Sequence, residues 1–180
     1  MDVAKYLDLK ERLVGVGFAE EITWAENIKE CTGPEAFALE HAFVVCNSGM
    51  KAQVAGRIFK RVAAALKAGE DPVTVFGHKG KCAAIAAVWR DRERLFGEWS
   101  TTENKLEYLE TLPFIGGIVK YHLAKNLGHD CCKPDRHLVR VAGEYGKTPE
   151  DLCEALKEAT GDNLATVDTV IWRSCNLGFL

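Results

Sequence analysis

Residues 106–128 read LEYLETLPFIGGIVKYHLAKNLG. The first half carries helical periodicity. Pro113 stops that helix, because proline lacks the N–H and restricts the residue before it. Gly116 and Gly117 permit positive φ and place no Cβ in the way. A second helix starts at once, with Gly128 at its C′ position. The stretch therefore reads as helix, six-residue turn, helix. The first N–H groups of the second helix point out of the turn and, with the helix dipole, suit a phosphate. Lys120 and Lys125 lie on the same helix and add charge. The same Pro and Gly also suit a plain αα-corner, so spacing alone leaves both readings open.

Outward from this hairpin the periodicity stays helical. Residues 34–46 form an apolar helix, broken by NSGMK (47–51). Residues 51–69 form an amphipathic helix closed by Gly69. DPVTVFGHKG (71–80) is a connector, and residues 81–99 read as one helix, apolar first and charged later. Thr101 or Thr102 suits the N-cap of the helix that enters the hairpin. KPDRHLVRVAGEYG (133–146) opens with Pro134 in its first turn. TPEDLCEALKEATG (148–161) has Thr148 as N-cap and Pro149 at N1. Residues 163–179 close the chain. Nine or ten helices result, with no strand alternation, repeat or long linker. The expected class is all-α.

With 180 residues, the chain makes one large domain or two small lobes with a real core. The formal charge of −3 conceals a division. Residues 1–50 hold 4 basic and 9 acidic side chains (−5), residues 51–140 hold 16 and 10 (+6), and residues 141–180 hold 3 and 7 (−4). The basic middle keeps nucleic acid in play as a partner. No apolar run reaches the ~18 residues of a membrane span. The charged N-terminus is no secretory signal. Seven cysteines without a Cys-x-x-Cys pair read as free thiols in a reducing cytoplasm.

The hairpin resembles that of the helix-hairpin-helix DNA glycosylase superfamily, which includes endonuclease III, the adenine-mismatch glycosylase and the alkyladenine glycosylases. That family places an aspartate about 20 residues after the hairpin, at a helix start. Here KPDRHLVRVA supplies Asp135, His137, Leu138, Arg140 and Val141 at matching positions. FGHKGKCAAI (76–85) resembles an upstream segment, with Lys81 and Ile85 in place. AFVVCNSGMKAQVA (42–55) is similar to the helix end and polar turn that carry pocket and wedge residues. TVDTVIWRSC (166–175) is similar to the late helix beneath the active site. The resemblance covers about residues 35–176.

It implies a two-lobed helical glycosylase-like unit spanning 1–180, with a cleft between the lobes and no iron–sulfur cluster. Residues 35–130 would form the central lobe, and 1–34 with 131–180 the second. The implied activity is monofunctional excision of a damaged or modified base from double-stranded DNA, leaving an abasic site. The expected setting is the cytoplasm of a bacterial, archaeal or phage-infected cell, and the expected state a monomer. Asp135 would be the catalytic carboxylate, stabilising an oxocarbenium-like sugar and orienting water. Its place at a helix N-terminus favours the ionised form, and the same place suits a plain N-cap.

DNA contacts are expected from Leu112, Pro113, Phe114, Ile115, Gly116, Gly117 and Lys120 of the hairpin, and from Lys51, Lys81 and Arg136. Arg57, Lys60, Lys79, Lys125 and Arg140 are further phosphate candidates, although Arg140 also suits bracing an acidic neighbour. Residues 90–98, RDRERLFGE, read as a solvated face with internal ion pairs. The flipped base needs a pocket and the duplex a wedge. Candidates are His41, Phe43, Asn47, Ser48, Met50 and Trp172, with Phe114 as a further wedge. Phe43 and Trp172 equally suit plain core, and His41 a satisfied buried histidine.

Two departures from the family pattern stand out. Phe114 occupies the place of a usual glycine. Ile118 stands where bifunctional members carry a Schiff-base lysine, and Lys120 lies about 200° around the helix from it. His122, His129, Cys131, Cys132 and His137 lack zinc-ligand spacing, so no metal site from side chains is expected. The resemblance does imply Na+ or K+ on the hairpin's backbone carbonyls. The alternatives are a bifunctional glycosylase/lyase using Lys120 or another lysine, an enzyme modifying a hypermodified base in phage DNA, and a binding-only module.

Overall fold

The computed structural model describes residues 1–180, the side chain of Ala52 excepted. The chain forms eleven α-helices: α1 (Val3–Leu13), α2 (Ala19–Glu26), α3 (Pro34–Asn47), α4 (Ala52–Lys67), α5 (Lys79–Arg90), α6 (Arg92–Thr101), α7 (Lys105–Glu110), α8 (Val119–Asn126), α9 (Arg136–Glu144), α10 (Pro149–Thr160) and α11 (Leu164–Asn176). A π-turn at Val14–Phe18 and a 3₁₀ turn at Pro72–Thr74 complete the set, and the described residues contain no strand. No helix is long and apolar enough to cross a membrane.

The chain divides into two compact units. One comprises residues 1–29 and 130–180, the other residues 30–129. In the first, α11 packs against α1, α2, α9 and α10. Tyr6, Leu9, Leu13, Leu138, Leu152, Val167 and Ile171 fill its core. Asp162 ties this unit at its rim, accepting the Tyr6 hydroxyl at 2.6 Å and the Lys10 ammonium at 2.7 Å. In the second unit α3 is the central helix, packed against α4, α5, α6 and α8. Its sequence PEAFALEHAFVVCN is apolar on nearly every side, as a surrounded helix must be.

Several helix ends follow their local signals. Thr148 accepts the Asp151 N–H as N-cap, with Pro149 in the first turn. Gly128 follows α8 at φ 89°. Two expectations change. The stretch 81–99 is two helices, because Asp91 takes up φ −94° and ψ 11° between them. Its carboxylate pairs with Arg90 and Arg94, and Arg92 donates to the Trp89 carbonyl freed by the break. Thr102 ends α6 rather than starting α7, whose N-cap position is Asn104. The ion pairs of residues 90–98 do form, Arg94 to Glu98 included.

Candidate functional site

The turn between α7 and α8 spans residues 111–118, longer than the six expected. Leu112 and Ile115 are buried and anchor it, while Pro113, Phe114, Gly116, Gly117 and Ile118 are exposed. The Leu112 and Ile115 side chains therefore belong to the core of their unit. Ile115 donates its N–H to the Leu112 carbonyl, closing the turn. The Lys120 N–H is spent on the Gly116 carbonyl at 3.0 Å, so the outward amides begin before it. The Lys120 ammonium pairs with Glu110 at 2.5 Å, so it meets a ligand already half-neutralised. The positive φ that Gly116 and Gly117 permit is not taken up. A Cβ added at Gly116 would meet open space. No backbone angle and no neighbour in the chain requires glycine there. What its absence of side chain leaves is bare, approachable backbone.

The left-handed residue of the turn is Phe114, at φ 63°, the one non-glycine residue with positive φ among those described. Such a conformation costs an L-residue about 1–2 kcal/mol. Its ring is 48 % exposed. It meets the His78 ring edge-on at 6.0 Å and covers Gly80, where an added Cβ would stand 3.2 Å from its Cζ.

Two buried polar residues brace this region. His41, on α3, is fully buried and its Nε2 lies 2.9 Å from the Pro113 carbonyl oxygen. The carbonyl accepts, so Nε2 carries the proton and Nδ1, buried with no hydrogen-bond partner, is the bare nitrogen. Burial pushes the imidazole down to about 4, so it is neutral at pH 7. His41 thus holds the hairpin from inside. Lys81 is also buried, and its ammonium donates to the Ser48 carbonyl at 2.6 Å. Burial lowers its pKa from the usual lysine value. It ties down the turn at 47–51 and is no surface phosphate contact. That turn is closed by Met50 N–H to Asn47 carbonyl at 3.1 Å, with Gly49 at φ 74°. Asn47, Ser48 and Met50 are half-buried, and Lys51 is exposed. Phe43 is partly buried between Phe59 and His122 rings, at 5.3 and 6.1 Å, as a packing residue.

The other unit holds Asp135, the N-cap of α9. Its Oδ1 accepts the N–H groups of His137 at 2.9 Å and Leu138 at 3.3 Å. Its Oδ2 faces the Lys133 ammonium at 3.9 Å. One oxygen is thus committed to the helix, and the other faces the Lys133 ammonium. Pro134 precedes the cap rather than forming part of the first turn. Arg136 is exposed, with its guanidinium 3.4 Å from His137 Nε2. Arg140 braces Glu144 at 2.5 Å. Trp172 is partly buried on α11 under the Arg173 guanidinium, 4.7 Å from its ring.

Three supporting residues escape a reading of the sequence. Asp168, 2 % exposed on α11, accepts the Lys133 N–H at 3.2 Å. Asp130 accepts the Ala165 N–H at 3.1 Å and the Lys157 ammonium at 2.8 Å. Lys133 itself stands beside Asp135. Together they moor the segment that delivers Asp135 into α9. Only Asp168 left a trace, as a lone carboxylate in an apolar helix. None of the seven cysteines is in a disulfide. Among the described residues, no group of three or more His, Cys, Asp or Glu side chains could hold a metal ion.

No protein-family model matches the chain, and no curated protein matches it. A solved structure does. The chain is similar to the Methanocaldococcus jannaschii 8-oxoguanine glycosylase/lyase, crystallised in complex with 15-mer DNA containing 8-oxoguanine. The TM-score is 0.69 at 19 % identity, covering 98 % of this chain and 97 % of that one. The chain shares the all-α fold of that structure.

Proposed function

We propose that this glycosylase fold works as a monofunctional DNA N-glycosylase, flipping out a damaged or modified base and leaving an abasic site. The observation that carries the reading is the turn at 113–118. It is anchored by Leu112 and Ile115, braced by His41, and bare of side chain at Gly116 where the chain's own packing asks for none. Bare amides ahead of a helix suit a phosphate oxygen. The carbonyls of residues 112–118 offer an oxygen-only donor set suited to Na+ or K+, whose charge would offset that of the phosphate. Those of Leu112, Pro113 and Gly116 each accept one protein hydrogen bond and keep a second lone pair.

In the reaction, the C1′–N bond breaks as water adds to C1′, and the base leaves with a proton. Positive charge develops on the sugar, and a fixed carboxylate stabilises it. Asp135 suits that role through Oδ2, because Oδ1 is held by two backbone amides. The same carboxylate can take the proton of the attacking water. Ile118, at the position the resemblance gives to an imine-forming lysine, has no amine, which supports hydrolysis without strand cleavage.

The test is mass spectrometry of bases released from a panel of damaged and naturally modified duplex DNAs. A free base with intact strands, absent for Asp135→Asn, is the expected result. Released base that persists in Asp135→Asn removes the assigned chemistry. Added mass on the DNA with small-molecule donors points to base modification, and binding without release to a recognition module.

A further inference from the structure

We infer that Phe114 is a stacking platform for a nucleobase, set beside the phosphate-binding turn and backed by His78. The inference rests on the reading of residues 113–118 as a nucleic-acid grip and adds a base contact to it. Phe114 adopts a backbone conformation that glycine would take without strain, and the exposed ring returns little core burial for it. Its surroundings accommodate the ring instead. Gly80 leaves the space that a Cβ would close, and His78 meets the ring at an interplanar angle of 87°. His78 is itself fixed, because its Nδ1 accepts the Lys81 N–H at 3.2 Å as the N-cap of α5. A half-exposed aromatic with a rigid backing matches what a base needs for stacking, since every base has a π-face. Phe114 lies two residues from Gly116, at most about 7 Å along the chain. That is about two base steps of a strand, so one short stretch of DNA can meet both.

The experiment uses the full chain and a duplex with 2-aminopurine beside an abasic-site analogue. Affinity is read by anisotropy, and base stacking by 2-aminopurine fluorescence at saturating protein. Phe114→Gly is expected to keep or raise Tm, to weaken binding roughly 5- to 100-fold, and to lose the wild-type fluorescence change. Phe114→Tyr is expected to restore both affinity and fluorescence. Binding and fluorescence that survive Phe114→Gly overturn the inference. So does a fall in Tm with the fluorescence change retained, which assigns the ring to packing. A wild-type protein that binds no DNA defeats the reading of the hairpin itself, whereas binding that ignores Phe114→Gly defeats the stacking role alone.

Discussion

The imidazole of His41 donates from Nε2 to the carbonyl oxygen of Pro113 at 2.9 Å, so a buried ring on α3 fixes an exposed residue of the hairpin. Its folded pKa of about 4 lies below the ordinary 6.5, chiefly through burial. A proton added at Nδ1 would be buried without an acceptor. Between pH 6.5 and 4 the unfolded chain binds that proton and the folded chain does not. The stability involved is present above pH 6.5 and is lost as pH falls toward 4. From pH 7 to pH 5 the loss is about 2 kcal/mol. Urea unfolding of wild type against His41→Leu reads this directly. The variant should lose about 2 kcal/mol less over that interval, and parallel pH profiles would exclude the role.

Asp135 serves α9 and, in the proposed chemistry, the substrate. The two roles separate by substitution. Asparagine caps a helix about as well as aspartate, whereas alanine costs about 1 kcal/mol. Asp135→Asn should therefore melt within a degree or two of wild type yet lose at least about 100-fold in base release. Asp135→Ala should lose both stability and activity. Full base release by the asparagine variant would reduce Asp135 to a cap.

The hairpin was legible in the sequence because its signals are local. Pro113 and Gly128 each restrict the backbone where they stand, and Asp135 caps the helix it precedes. Phe114 shows where such reading ends. The glycines at 116 and 117 advertise positive φ, yet the left-handed residue is the phenylalanine, because Leu112 and Ile115 must both turn inward. The partners of His41 and Lys81 lie beyond a sequence's reach for a related reason. They are carbonyls of Pro113 and Ser48, 72 and 33 residues away, and a carbonyl leaves no mark in a sequence. The break at Asp91 is similar, since Arg92 repairs it through a backbone oxygen.

Ile118 is 46 % exposed and immediately precedes α8. A lysine there keeps the backbone and places an amine at the turn. Wild type should give no borohydride-trapped adduct with abasic DNA, and Ile118→Lys should give one together with strand cleavage. Trapping by the wild type would point to another lysine, and Lys120→Ala and Lys133→Ala would identify which.

DNA affinity should fall steeply with salt, because the grip is a few phosphates neutralised locally by a chain of net charge −3. Each displaced counterion contributes about 0.9 to the log–log slope on duplex DNA. Exposed Lys51 and Arg136 are the side chains to test. Alanine at either should lower the slope by about one. A flat salt response would remove the electrostatic contact.

Asp162 offers a check on the other unit. It accepts the hydroxyl of fully buried Tyr6 and the ammonium of Lys10, which also pairs with Glu26 at 2.8 Å. Asp162→Ala leaves that hydroxyl without its acceptor, at a cost of about 1–3 kcal/mol. Lys10 keeps its pair with Glu26 in the variant. The transition should drop by several degrees. A shift under one degree would show that Tyr6 finds another partner.

The first turn of α5 has one more property. Gly80 and His78 hold the tip of one loop, while Lys81, the next residue, holds the carbonyl of another. Both loops thus rest on the same short segment, residues 78–81. A substitution in that single turn therefore reaches both loops at once.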